Sequence, residues 1–138
     1  MYQTLDNDEF LIHFAEHTDQ RGTLTLTGNT QLPFDIQRVF WIHHTPQGIS
    51  RGAHAHRTCA EVIVPVAGSF DVDLIFQNGQ RRTYNLRSPH TGLLIPPMCW
   101  CELHHFTAQT VCLCLASESY DPDGYINDLK AFLAECAH

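Results

Sequence analysis

The chain of 138 residues contains no run of 18 apolar residues, so it carries no membrane-spanning helix. Basic residues are scarce, with 8 Lys+Arg against 15 Asp+Glu and a formal net charge of −7. A polyanion such as DNA or RNA calls for a basic face, so this balance argues against a nucleic-acid polymer as partner. The start, Met1-Tyr2-Gln3-Thr4-Leu5-Asp6, lacks the basic residue and apolar run of a secretion signal, and a cytoplasmic protein is expected. Repeats, low-complexity tracts and linkers are missing too. At 43% hydrophobic residues the composition is too apolar for a disordered chain, and the length suits one domain spanning 1–138. Against these absences stands one excess, ten histidines.

The six cysteines are read as reduced, because no secretion signal directs the chain to an oxidising compartment. Four of them form two Cys-x-Cys pairs, Cys99/Cys101 and Cys112/Cys114. Residues two apart on a strand share a face, so two such strands can present four sulfurs to one zinc. Structural zinc sites use wider spacings more often, and burial as small apolar side chains is the favoured reading.

Short apolar runs broken by turn residues fill the chain from Arg21 to Ser117. Alternating or β-branched segments occur at 23–27, 36–42, 61–66, 70–76, 82–86, 92–95, 100–106 and 111–115. Asn78-Gly79 between two alternating runs is a strong hairpin signal. This pattern predicts an all-β antiparallel barrel or sandwich with its core over about 19–118. The tail changes period: Ile126, Leu129, Phe132 and Leu133 recur at helical spacing behind Asp121-Pro122-Asp123, predicting an amphipathic helix over about 123–136.

The histidines concentrate meaning in one place. Gly48, His54, His56, Glu61 and Gly68 read as G-x5-H-x-H-x4-E-x6-G. His54 and His56, two apart on a strand, point to one side, and Glu61 on the next segment can reach the same space. Three such N/O donors suit a divalent metal. The pattern resembles the first motif of the cupin superfamily, which implies a single jelly-roll barrel, here with a short C-terminal helix. The second cupin motif, which normally supplies a fourth ligand, is altered. Glu102 stands at the histidine position, with His104 two residues beyond. A metal set of His54, His56, Glu61 and Glu102 or His104 is the alternative kept open. The remaining histidines, His13, His17, His43, His44, His90, His105 and His138, are expected at the surface.

Closer blocks narrow the resemblance. Arg51-Gly52-Ala53-His54-Ala55-His56-Arg57, Asp19-Gln20-Arg21-Gly22-Thr23-Leu24, Arg38-Val39-Phe40, the stretch from Gly92 to Glu102, and Leu115-Ala116-Ser117 with Tyr120-Asp121 and Tyr125-Ile126 occur in order. Together they resemble the nucleotide-sugar 3,4-ketoisomerases, the WxcM-like cupins. The resemblance implies an isomerase acting on a dTDP-linked 4-keto-6-deoxyhexose. It removes the C3 proton, passes through an enediolate and returns a proton at C4, with no cofactor and no metal. It also implies His56 as the base and His54 as its partner in proton transfer. Arg21, Arg38, Arg51 and Arg57 become candidates for the pyrophosphate. Trp100 is a candidate for stacking on sugar or base, with core packing as its alternative. Glu102 is a candidate partner for a sugar hydroxyl or for Arg51. Cys101 stands where a basic residue is common in the family, and Leu94 where tyrosine is frequent. A homodimer with an exchanged or packed N-terminal strand is expected. Two other functions remain in view: a metal-dependent cupin of epimerase or dioxygenase type, and a non-catalytic sugar-binding cupin.

Overall fold

The computed structural model describes residues 8–137. The expectations placed on Met1–Asp6 and on His138 lie outside that range. Twelve strands are present among the described residues: β1 Leu11–His13, β2 Ala15–Asp19, β3 Gly22–Leu26, β4 Arg38–His43, β5 Arg51–His56, β6 Glu61–Ala67, β7 Phe70–Ile75, β8 Arg81–Leu86, β9 Thr91–Ile95, β10 Trp100–His104, β11 Val111–Ala116 and β12 Tyr125–Ile126. One five-stranded sheet has the order β1-β9-β6-β11-β4, the other β12-β5-β10-β7-β8, and β2 and β3 pair as a separate hairpin. All pairings are antiparallel. The two large sheets face one another over a shared core. Phe70, Val72, Leu74, Ile63, Leu93, Cys112 and Cys114 fill it from both sides, as alternation along each strand requires. This is the expected jelly roll.

The Asn78-Gly79 turn joins β7 to β8, with Gly79 at φ +89°. Gly68, between β6 and β7, is required by space as well as by its φ of +71°. A Cβ there would collide with Thr110.

The tail departs from the predicted continuous helix. Pro122–Gly124 forms one 3-10 turn, Tyr125 and Ile126 pair with His56 and Ala55 of β5, and helix α1 spans only Leu129–Cys136. Asp128 caps α1 by accepting from the Ala131 amide at 2.9 Å. Strand pairing at 125–126 satisfies those backbone groups in a way a helix could not share, so the helix starts later. Phe132 is fully buried and packs on Trp100, with ring centroids 5.8 Å apart. That contact seats α1 on the barrel wall.

Candidate active site

The end of the barrel bounded by β5, β6, β10 and β11 encloses a cavity of about 180 Å³. Its wall carries Arg51, His54, Glu61, Cys101, Cys114 and Tyr125 among apolar residues. Local geometry in β5 places the histidines. Gly52 and Ala53 both have positive φ, +86° and +57°, which kinks the strand just before His54. A Cβ on Gly52 would stand 2.9 Å from the carbonyl oxygen of Cys101, so only glycine lets β5 approach the bulge in β10.

His54 and His56 meet edge to face, with centroids 5.0 Å apart, and Tyr125 closes on both at 5.0 and 4.4 Å. The Nδ1–H of His54 donates to the Gly52 carbonyl oxygen at 3.2 Å. A carbonyl can only accept, so Nδ1 carries the proton of the neutral ring and Nε2 is left as the base. Burial, reinforced by neighbouring His56, pushes the His54 pKa below its ordinary 6.5, while Glu61 pulls the other way. His56 is more deeply placed. Its Nε2 lies 3.3 Å from Glu61 Oε2 but makes no aligned hydrogen bond, and it does not border the cavity. Arg38 Nη2 stands 3.9 Å from the same Glu61 oxygen, and its Nη1 donates to the Tyr125 hydroxyl at 3.4 Å. Phe40 and Tyr120 flank the guanidinium at 5.1 and 5.7 Å.

The nitrogen and oxygen donors of His54, His56 and Glu61 lie within 4.8 Å of one another, so their spacing fits a metal ion. The Arg38 cation, however, already compensates the Glu61 carboxylate that such an ion would use. His104 is not part of this set. It sits on the outer face of β10, its Nε2 2.7 Å from Asp73 Oδ2. The fourth-ligand expectation for His104 is corrected for that reason.

The other expected site residues divide. Arg51 borders the cavity and Arg38 stands behind it. Arg57 faces away: it donates to the carbonyl oxygens of Asp123 and Tyr125 at 3.1 and 3.0 Å and pairs with Glu135 at 2.8 Å. Arg21 is at the exposed tip of the β2–β3 hairpin, paired with Asp19 at 2.6 Å. Trp100 is 4% exposed and packs on Phe132, so core packing is its role in the fold. Glu102 accepts from the Trp100 indole at 3.3 Å, on the strand face opposite Cys101 and Leu103. Alternation along β10 decides this: Cys101 and Leu103 take the inward positions. Tyr125 is the site residue missed as a contributor. Its proximity depends on β12 pairing with β5, for which the sequence carries only the Tyr-Ile dipeptide.

Of the six cysteines, Cys101 and Cys114 line the same cavity, and Cys99 and Cys112 lie in the barrel core. All six are free. Burial pushes the Cys99 thiol up to about 12 and Cys101 well above its usual range. The Cys112 sulfur, 3.8 Å away, together with burial, raises Cys114. Thiols this reluctant to ionise pack as small apolar groups.

A larger groove, about 660 Å³, lies elsewhere, between the β2–β3 hairpin and the outer face of β6 and β11. Its titratable pair, His90 and Glu16 at 3.3 Å, is partly exposed, and neither His54 nor His56 borders this groove. The chemistry therefore belongs to the smaller cavity.

A closed jelly roll with a His-x-His pair and a glutamate turned into its mouth is a cupin-type barrel. Residues 7–137 match the FdtA family, described as WxcM-like, C-terminal, and the chain belongs to that family of nucleotide-sugar 3,4-ketoisomerases. It is 36% identical over 124 residues, 88% of each chain, to the TDP-4-oxo-6-deoxy-alpha-D-glucose-3,4-oxoisomerase of Aneurinibacillus thermoaerophilus. Among solved structures it resembles the sugar 3,4-ketoisomerase QdtA from Thermoanaerobacterium thermosaccharolyticum in complex with TDP. That likeness has 35% identity, covers 92% of this chain and 93% of the other, and has a TM-score of 0.88. The TDP-quinovose 3,4-ketoisomerase WlaRB of Campylobacter jejuni matches at 34% identity, over 90% and 95% of the two chains, with a TM-score of 0.84.

Proposed function

We propose that this isomerase converts a dTDP-linked 4-keto-6-deoxyhexose into its 3-keto isomer, without a metal. The observation that carries the reading is His54: a neutral imidazole on the cavity wall, with Nδ1 tied to the Gly52 carbonyl and Nε2 left as base. Relatives act on or bind such compounds. QdtA has been seen with TDP, and a variant of it with TDP-4-keto-6-deoxyglucose.

The C4 ketone acidifies the C3 proton by delocalising the resulting charge. His54 takes that proton, forming the enediolate; the O3 hydroxyl proton passes to O4, and the protonated ring or its neighbour delivers a proton to C4, leaving the ketone at C3. Cavity position favours His54 over His56 as the group that meets the sugar, exchanging the roles that the family resemblance implied. His56, braced by Glu61 and in edge contact with His54, acts as the partner that relays or holds the proton. Arg38 beside Glu61 leaves the site charge-compensated, which supports chemistry without a metal. Enediolate stabilisation then falls to the Tyr125 hydroxyl, polarised by Arg38, and to the imidazolium itself. A cavity of about 180 Å³ accommodates the sugar, with the nucleotide outside along Arg51.

The dimer reading rests on a strip of exposed apolar side chains. Leu24 and Leu26 on the hairpin, Val39 and Trp41 on β4, and Val66 on β6 are each between 42% and 60% exposed. Such clusters are normally covered by a partner. Six unpaired thiols support a reducing, cytoplasmic setting. The 3-keto product suits a transaminase that would install an amine at C3.

The test is incubation with TDP-4-keto-6-deoxyglucose in deuterated water. Deuterium at C3 and C4, retained after exhaustive chelation, is expected. Absence of exchange would point to sugar binding alone. Loss on chelation, restored by a divalent ion, would return the metal-dependent reading.

A further inference from the structure

The outer face of β7, β8 and β10 carries a second cluster that the reaction does not use. His104 Nε2 lies 2.7 Å from Asp73 Oδ2, and His105 Nδ1 lies 2.7 Å from Asp71 Oδ2. The two rings stand 4.4 Å apart. Adjacent residues on a strand point to opposite faces, so His104 and His105 should not share one. They do because His105 falls just past the end of β10 at a φ of +57°, which turns its ring back beside its neighbour.

Each carboxylate is held by a partner on β8. Asn85 Nδ2 donates to Asp71 Oδ1 at 2.9 Å, and the Thr83 hydroxyl donates to Asp73 Oδ1 at 2.8 Å. In both residues Oδ2 is the oxygen presented to a histidine. Outer hydrogen bonds that orient ligating groups are a regular feature of metal sites. Donor atoms of Asp71, His104 and His105 lie within 4.8 Å of one another. Ligand atoms around tetrahedral zinc stand about 3.3 Å apart, given zinc–ligand bonds near 2.0–2.1 Å. The His105 side chain is 73% exposed and has room to make the inward movement, whereas the Asp71 side chain is only 11% exposed.

We propose that Asp71, His104 and His105, with Asp73 beside them, bind a divalent late transition-metal ion, zinc by preference. Two neutral imidazoles and two carboxylates form a borderline N2O2 donor set whose charge matches a divalent ion. The ion ties β7 to the end of β10 on the outside of the barrel. The site is independent of the ketoisomerase reading.

Calorimetric titration of Zn2+ into the full chain tests it, using wild type, H105N, N85A and H56N. Asparagine tolerates the left-handed backbone at 105, so H105N removes the imidazole without disturbing the turn. The expected result is one site in wild type, weakened at least about tenfold in H105N and about tenfold in N85A, and unchanged in H56N. Zinc is also expected to raise the melting temperature of wild type and H56N but not of H105N. Equal affinity in wild type and H105N overturns the proposal, as does binding that disappears only in H56N, which would place the ion inside the barrel. Failure of wild type to bind zinc overturns it equally.

Discussion

His56 Nε2 and Glu61 Oε2 lie 3.3 Å apart, with side chains only 6% and 8% exposed. A carboxylate so nearly closed to solvent acts on its neighbours with little screening. It raises the pKa of His54, against the depression caused by burial and by His56.

The wild-type pH profile follows from that balance. The base must be neutral, and burial favours the neutral form of His54. The acid limb of kcat/KM is therefore expected below the ordinary 6.5. In E61Q the raising influence is gone, so the limb should move further toward acid. A limb that moves toward neutral pH in E61Q would contradict this electrostatic arrangement.

Replacing the two histidines separates their roles. H54N keeps a similar shape but removes the base, and kcat should fall by roughly 10²–10⁴-fold, with deuterium incorporation at C3 lost. H56N should retain slow C3 exchange, since His54 Nε2 is still present to take the proton. Single-turnover exchange followed by NMR distinguishes the two. Faster exchange in H54N than in H56N would restore His56 as the base.

Arg51 and Arg57 flank the same strand yet face different surroundings. R51A should raise KM for the nucleotide sugar several-fold, because Arg51 is on the cavity wall. R57A should leave KM unchanged and lower the melting temperature by a few degrees. Its guanidinium holds two carbonyls of the C-terminal segment and one partly exposed Glu135, a set worth about 1–2 kcal/mol after solvent screening. Steady-state kinetics and a thermal melt on each variant check both statements.

Trp100 gives a similar contrast. W100F preserves a ring against Phe132 and loses the bond to Glu102. A cost of about 1–2 kcal/mol in stability is expected, with substrate affinity intact. A large rise in KM without a stability change would show that the indole contacts the ligand.

Much of this is legible in the sequence, for identifiable physical reasons. Alternation over 70–76 and 82–86, joined by Asn78-Gly79, is a local signal, and β7–β8 formed as expected. The G-x5-H-x-H-x4-E-x6-G spacing places two imidazoles and a carboxylate in one barrel mouth, because strand period and turn glycines suffice to bring them there. The helix was legible in type but not in its start. Periodicity could not foresee that Tyr125-Ile126 would add to the edge of β5, leaving Asp128 to cap the helix.

The sequence by itself determined the barrel, the histidine pair, the glutamate behind it and the burial of the Cys99/Cys101 and Cys112/Cys114 pairs. These depend on spacing along one strand or across one turn. Only the tertiary structure decided which histidine borders the cavity, that Arg57 clamps the tail, and that Arg21 sits on an exposed hairpin. It alone brought His104 and His105 together beside Asp71 and Asp73 on the outer face. Each of these outcomes depends on which distant strand lies alongside, or on one residue's left-handed turn, and neither is encoded in residue spacing alone.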